Sequence, residues 1–211
     1  MTPNLDAMFA AHKEWRADPV RGKRADLSGM DLSGWDLSGR DLSWAFMEGM
    51  NLREAGLCRT RLHGADLSDT DLSDADLFDA DLSDADLSDA DLSHTDLFRA
   101  NVTAARMSET NLSGANLSEV NFTDIDLSSV NLSHVNLRDT IGNGREIKSI
   151  RLEPWSVVWT YQDLQIGCER HPIARWWEFT EEEIAAMHPD AADWWARYKA
   201  PLRGIIEVDQ I

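Results

Sequence analysis

Cys168 and His171, in the segment IGCERHPIARWW, stand three residues apart and are the pair whose types most readily do chemistry. A thiol beside an imidazole can be a nucleophile with its base, or two ligands of a metal ion. Neither reading completes itself. A single CxxH lacks the second ligand pair that zinc requires, and no Asp or Asn is clearly placed to orient the imidazole. The two read instead as a buried cysteine and a helix-capping histidine. The pairs Trp176–Trp177 and Trp194–Trp195 could stack on a sugar or another flat ligand, but in so small a module they read as core. A third group is acidic. DLFDADLSDADLSDADL, residues 76–92, holds seven aspartates and no cation. Such carboxylates could gather a divalent ion, yet a regular ladder of single carboxylates lacks the varied oxygen ligands and tight loop of a calcium site. We therefore expect no metal, no cofactor and no enzyme.

The charge then reads as a binding surface. The net charge of −18 over 211 residues argues against nucleic acid or an anionic membrane as direct ligands and favours a basic partner. No stretch approaches eighteen apolar residues, and the first fifteen carry no basic region followed by an apolar run. Cys58 and Cys168 form no CxxC. These features fit a cytoplasmic protein in a reducing compartment.

The elements that must carry the acid are repeats. From Leu27 to Leu137 a large apolar residue recurs every five positions, 23 in all, of which 19 are leucine; the exceptions are Met47, Val102, Met107 and Phe122. Two residues before each stands a second series, only Ala or Thr from 55 to 115, continued by Val120, Ile125, Val130 and Val135. A period of five fits neither a helix nor a strand. The small residue and the leucine can share one face of a short extended segment, after which Ser, Asp and Gly turn a corner.

The tandem A(D/N)LSx resembles the pentapeptide-repeat family over residues 25–140 without a register break. That resemblance implies an all-β solenoid, a right-handed quadrilateral β-helix with four pentapeptides per coil. Twenty-three repeats would then make nearly six coils, and a strand spacing of ~4.8 Å gives a rod roughly 28 Å long. Leucines would fill the interior, each worth roughly 1.5–3 kcal/mol on burial, and the aspartates would be solvated skin.

Three parts follow: a helical cap at 1–24, the repeats at 25–140 and a Trp-rich module at 141–211. Thr2 as N-cap and Pro3 as first residue predict a helix to residue 17, with Leu5, Met8, Phe9, His12 and Trp15 as its apolar stripe. Met30, Trp35 and Arg40 replace small residues, which predicts irregular first coils plugged by that helix. In the last module the pattern predicts two strands, near 155–161 and 164–168, and then helices. One begins near His171–Pro172, one follows Thr180 with Glu183 completing a capping box, and one runs from 190 to 199. This mostly helical module is similar to one found in uncharacterised phage and prophage proteins.

Charge is uneven along the rod. Residues 25–64 carry −2, residues 98–140 carry −2, and residues 65–97 carry −12. The expected partner surface is this belt: Asp66, Asp69, Asp71, Asp74, Asp76, Asp79, Asp81, Asp84, Asp86, Asp89, Asp91 and Asp96. Beside it, Phe78 and Phe98 replace the usual serine, stack on one corner with Cys58 below, and are expected as exposed anchors. They face either the partner, the C-terminal module or a second copy of the chain; the sequence leaves these open. Quinolone-resistance members of the resembled family imitate duplex DNA and occupy the DNA groove of gyrase. By that resemblance the acidic rod would be a decoy for a basic DNA-binding protein such as a topoisomerase, a nuclease or a host defence complex. The unbroken repeat lacks the loops those members carry, which counts against gyrase itself. The other class is a phage assembly protein, with the rod as spacer and the C-terminal module as attachment point.

Overall fold

A computed structural model describes residues 4–208. Its centre is a stack of square coils. Outward residues before a leucine pair in parallel with the residue twenty positions on, from Asp26↔Phe46 to Asn121↔Ile141, except that among the described residues Asn101 and Arg106 form no bridge to the coil above. Four pentapeptides therefore close one turn. The ladder is continuous in the belt: Leu77 N–H donates to Asp96 C=O at 2.8 Å, and Asp96 N–H donates to Ala75 C=O at 3.0 Å. Leu67, Leu72, Leu77, Leu82, Leu87 and Leu92 are each 0% exposed, so the leucine column is the core.

The corners explain why aspartate suits this chain locally. Each is a turn closed by a bond such as Ala80 N–H to Leu77 C=O at 3.0 Å. Its third residue has positive φ, as at Gly64 (62°), Asp79 (57°) and Asp84 (57°), a conformation open to Gly and tolerated by Asp. The aspartate before each leucine has a different task. Asp81 Oδ1 accepts the Ser83 N–H at 3.2 Å and its hydroxyl at 2.6 Å, an Asx turn that enters the corner. At Asp31 and Asp36 the serine hydroxyl and N–H bonds hold the carboxyl below its ordinary pKa. The aspartates are skin, and half of them are also hinges.

Helix α1, Leu5–Ala17, closes the lower end. Its N-cap is Asn4, whose side chain accepts Ala7 N–H at 3.2 Å; the expected cap, Thr2 with Pro3, lies outside the described residues. Leu5, Met8 and Phe9 pack on the rod core. His12 is fully buried, and its Nδ1 accepts Ala25 N–H, a bottom-coil donor with no coil beneath it, at 3.0 Å. The first coils are regular, contrary to expectation, with all four bridges from Asp26, Asp31, Asp36 and Asp41 formed. Without a coil below, the large side chains tip outward or onto α1 instead of spreading the backbone. Trp35 is exposed and the Arg40 guanidinium lies 4.4 Å from the Phe9 ring.

The upper end differs most from expectation. Four strands, β1 (Lys148–Leu152), β2 (Trp155–Trp159), β3 (Asp163–Ile166) and β4 (Glu169–Pro172), form an antiparallel meander in sequence order. The sequence reading missed β1 and β4. Helices α2 (Ile173–Glu178), α3 (Glu181–Met187) and α4 (Ala191–Val208) cover its far face. The Thr180–Glu183 capping box is present. Pro201 lies inside α4, which runs on past residue 199. Trp176, Trp194 and Trp195 are buried core.

This sheet is also the rod's upper lid. Ser149, Val158, Gln165 and Arg170 face one another across the four strands as one row. Gly142 N–H donates to Ser149 Oγ at 3.3 Å, and Val158 joins the rod core. Gln165 Oε1 accepts Leu137 N–H at 2.7 Å, and its Nε2 donates to Asn136 Oδ1 at 2.9 Å. Arg170 donates to Val135 C=O at 2.5 Å. Backbone groups that a further coil would have paired are thus met by side chains, as a buried strand edge requires.

Candidate protein-binding surface

Four pentapeptides per coil give the rod four sides. The first carries outward residues 26, 46, 66, 86 and 106; the second 31, 51, 71, 91 and 111; the third 36, 56, 76, 96 and 116; the fourth 41, 61, 81 and 101. The predicted belt wraps all four sides, so its residues do not converge on one surface.

Neighbouring groups sort them. Arg53 meets Asp74 at 2.5 Å, Arg59 meets Asp79 at 3.5 Å, Arg106 meets Asp86 at 3.2 Å, and His63 Nδ1 lies 3.5 Å from Asp84. Asp76, Asp81, Asp91 and Asp96 accept bonds from the Cys58 thiol (3.0 Å), Asn101 (3.1 Å), Asn111 (3.0 Å) and Asn116 (2.8 Å). Among the described residues, Asp66, Asp69, Asp71 and Asp89 make no ion pair and take no such bond from another coil. All four lie on the first side, the second side or the corner between them, with Asp91 beside them. This is the bare acidic edge of the rod.

Phe78 and Phe98 occupy the corner after the third side, diagonally opposite Asp69 and Asp89. Their rings stack at 5.7 Å with a 39° tilt, and Arg59 lies 5.6 Å over Phe78. Both are half-buried by this mutual stacking, where exposed anchors were expected. At Cys58, below them, burial and the Asp76 bond push the thiol up to about 11.

Two aromatics that the sequence reading passed over stand beside the bare edge. Phe46 is 41% exposed on the first side, in a column otherwise of Asp26, Asp66, Asp86 and Arg106. Trp44, at the preceding corner, is 39% exposed and has φ 67°. Their signal in the sequence is that both break the polar outward pattern, at positions other than the serine one.

Cys168 is exposed beside Gly167, not buried, and His171 lies in β4, not at a helix cap. The His171 ring packs on Trp176 at 5.4 Å and Phe179 at 4.9 Å. The cavity beside Cys168 holds about 70 Å³ and is walled by Trp155, Trp176, Trp194 and Trp195. Among the described residues no three His, Cys, Asp or Glu gather to hold a metal ion.

The Pentapeptide repeats family matches residues 36–74, 75–114 and 105–141, in eight copies. Among solved structures, a pentapeptide repeat protein from the thylakoid lumen of Arabidopsis thaliana is 33% identical, with 47% of this chain and 70% of that one covered and a TM-score of 0.37. Another, from the cyanobacterium Cyanothece 51142, is 23% identical over 64% of this chain and 99% of its own, with a TM-score of 0.46. QnrB1, a plasmid-mediated fluoroquinolone resistance protein, is 19% identical over 55% of this chain and 71% of its own, with a TM-score of 0.27. No curated protein matches. With a model match over half its length and the twenty-residue ladder that four pentapeptides per coil require, this chain belongs to the pentapeptide repeat family, whose members form right-handed quadrilateral β-helices.

Proposed function

We propose that the protein is a non-enzymatic interaction protein whose rod acts as a DNA-like decoy for a basic DNA-binding protein. The observation that carries this reading is the bare acidic edge, with four carboxylates on two adjoining sides that meet no ion pair and no bond from another coil. Two coils rise about 10 Å, so the edge offers about one charge per 2.5 Å, against one per ~1.7 Å of duplex DNA. Elsewhere on the belt, Arg53, Arg59 and Arg106 face Asp74, Asp79 and Asp86 and damp the field there. An unanswered edge steers a basic groove from a distance and speeds association. The spacer-and-attachment reading has less support, because the module that would attach is spent as lid and Trp core.

The test is competition against duplex DNA for purified basic-grooved proteins, with DNA gyrase and a restriction nuclease as probes. Converting Asp69, Asp71, Asp89 and Asp91 to Asn keeps both local roles, since Asn tolerates the corner conformation and caps the Asx turn. It should weaken competition at least about tenfold and flatten its salt dependence. Equal competition by both proteins across a salt series removes the decoy reading.

A further inference from the structure

We infer that Trp44 and Phe46 form the apolar anchor of the interface, adjoining the bare acidic edge, and that the surface takes a basic segment carrying apolar side chains. This rests on the proposed basic partner and specifies what that partner must present.

Three observations converge. Phe46 stands directly below Asp66 in the first-side column, so its ring continues the edge toward the lower end. Trp44 holds the left-handed corner backbone that Gly, Asp, Glu, Arg, His and Ala hold at the equivalent positions of other repeats, and it is the bulkiest residue among them. Finally, the site is built around the ring. A Cβ on Gly64 would lie 2.5 Å from Trp44 Cε3, so the missing side chain at 64 is what admits the indole. His63 meets that ring edge-on at 4.9 Å. Arg24 donates from Nε to Trp44 C=O and lays its guanidinium 3.6 Å from the Phe46 ring. The two aromatics are thus held, yet each keeps about two-fifths of its surface in water.

Charge complementarity names the occupant. Asp26 and Asp66 flank Phe46 in its column, and Asp69, Asp71, Asp89 and Asp91 lie round the next corner. Apolar rings whose rim is acidic apart from Arg24 suit a chain segment that alternates Lys or Arg with Leu-like side chains. Purely polar polycations would engage the rim alone.

Two synthetic basic peptides of equal length and charge test this, one bearing leucines along one helical face and the other serines in their place. Wild type should bind the leucine peptide about tenfold more tightly. In the double variant Trp44→Gly, Phe46→Asn both new residues are ones the rod already uses at equivalent positions, so its melting temperature should not fall. It should lose the preference while binding the serine peptide unchanged. The Asp69, Asp71, Asp89, Asp91 to Asn variant should weaken both peptides and keep the preference. Equal binding of the two peptides by wild type, or a preference that survives the double variant, overturns the anchor while leaving the acidic edge intact. Failure of the four-Asn variant to weaken either peptide overturns the charge reading instead.

Discussion

The two ends of the rod meet the same demand with different means. Below, one helix supplies an apolar face and a single imidazole, with His12 Nδ1 meeting Ala25 N–H. Above, four strands supply a row, Ser149, Val158, Gln165 and Arg170, in which three members bond the last coil and one fills its core. The lower lid is laid on the coil as a packed body. The upper one continues the hydrogen-bonding logic of the ladder through side chains. An end may be closed by covering it or by imitating the next coil, and this chain does one of each.

The largest expected effect abolishes the comparison altogether. Leu82→Asp places an unpaired charge inside the shared column, which costs several kcal/mol, so both ends should lose their support and far-ultraviolet circular dichroism should report an unfolded rod. Next, Gln165→Ala leaves Leu137 N–H and Asn136 without their partner, a loss of about 1–3 kcal/mol. Hydrogen exchange should quicken in residues 112–140 and stay unchanged in residues 25–64. His12→Ala should do the reverse at similar or smaller cost, quickening exchange at Ala25 and the first coil. If both variants loosen the whole rod equally, the ends are not independent.

Acidity gives a smaller handle on the lower end alone. Burial is the main force holding the His12 imidazole below its ordinary pKa. The unfolded chain therefore takes up a proton near pH 6.5 that the folded one refuses, and stability falls as pH drops below that value. His12→Asn keeps an acceptor for Ala25 N–H and removes this proton, so its melting temperature should fall less between pH 7 and pH 5 than that of wild type. Smallest is a difference in thiol reactivity. Cys58, pushed up to about 11, should alkylate at pH 8 far more slowly than the exposed Cys168 between β3 and β4. Equal rates would mean that the Asp76 bond does not hold the lower thiol.

The same contrast marks what could be read in the sequence. A five-residue period names every core position of the rod, because one backbone geometry repeats and each Leu has one place to go. The lids have no such period. In β4, Glu169-Arg170-His171-Pro172 shows no apolar alternation, since Arg170 faces the rod end and His171 packs on Trp176, and both are half-buried. Nothing local marks Gln165 as a lid residue either, because its partners, Leu137 and Asn136, lie nearly thirty positions away. The acid was legible as charge but not as sides. Asp71 and Asp81 look alike in the text, and only closure of the coil places them back to back. Phe78 and Phe98 were read correctly as stacked neighbours and wrongly as exposed, because each shields the other.

The ladder pairs residues twenty apart, whereas the core repeats every five. Inside and outside therefore keep different reading frames. Insertion of one pentapeptide near residue 55 would leave every leucine buried and every corner intact. It would also rotate everything above it by a quarter turn, carrying Asp66 and Asp86 away from Trp44 and Phe46. Two such insertions would set the acidic edge and the aromatics back to back, and four would restore them with one added coil between. The fold is thus indifferent to length changes that the surface cannot tolerate, and a lineage that keeps this interface should lengthen or shorten its rod in steps of twenty residues.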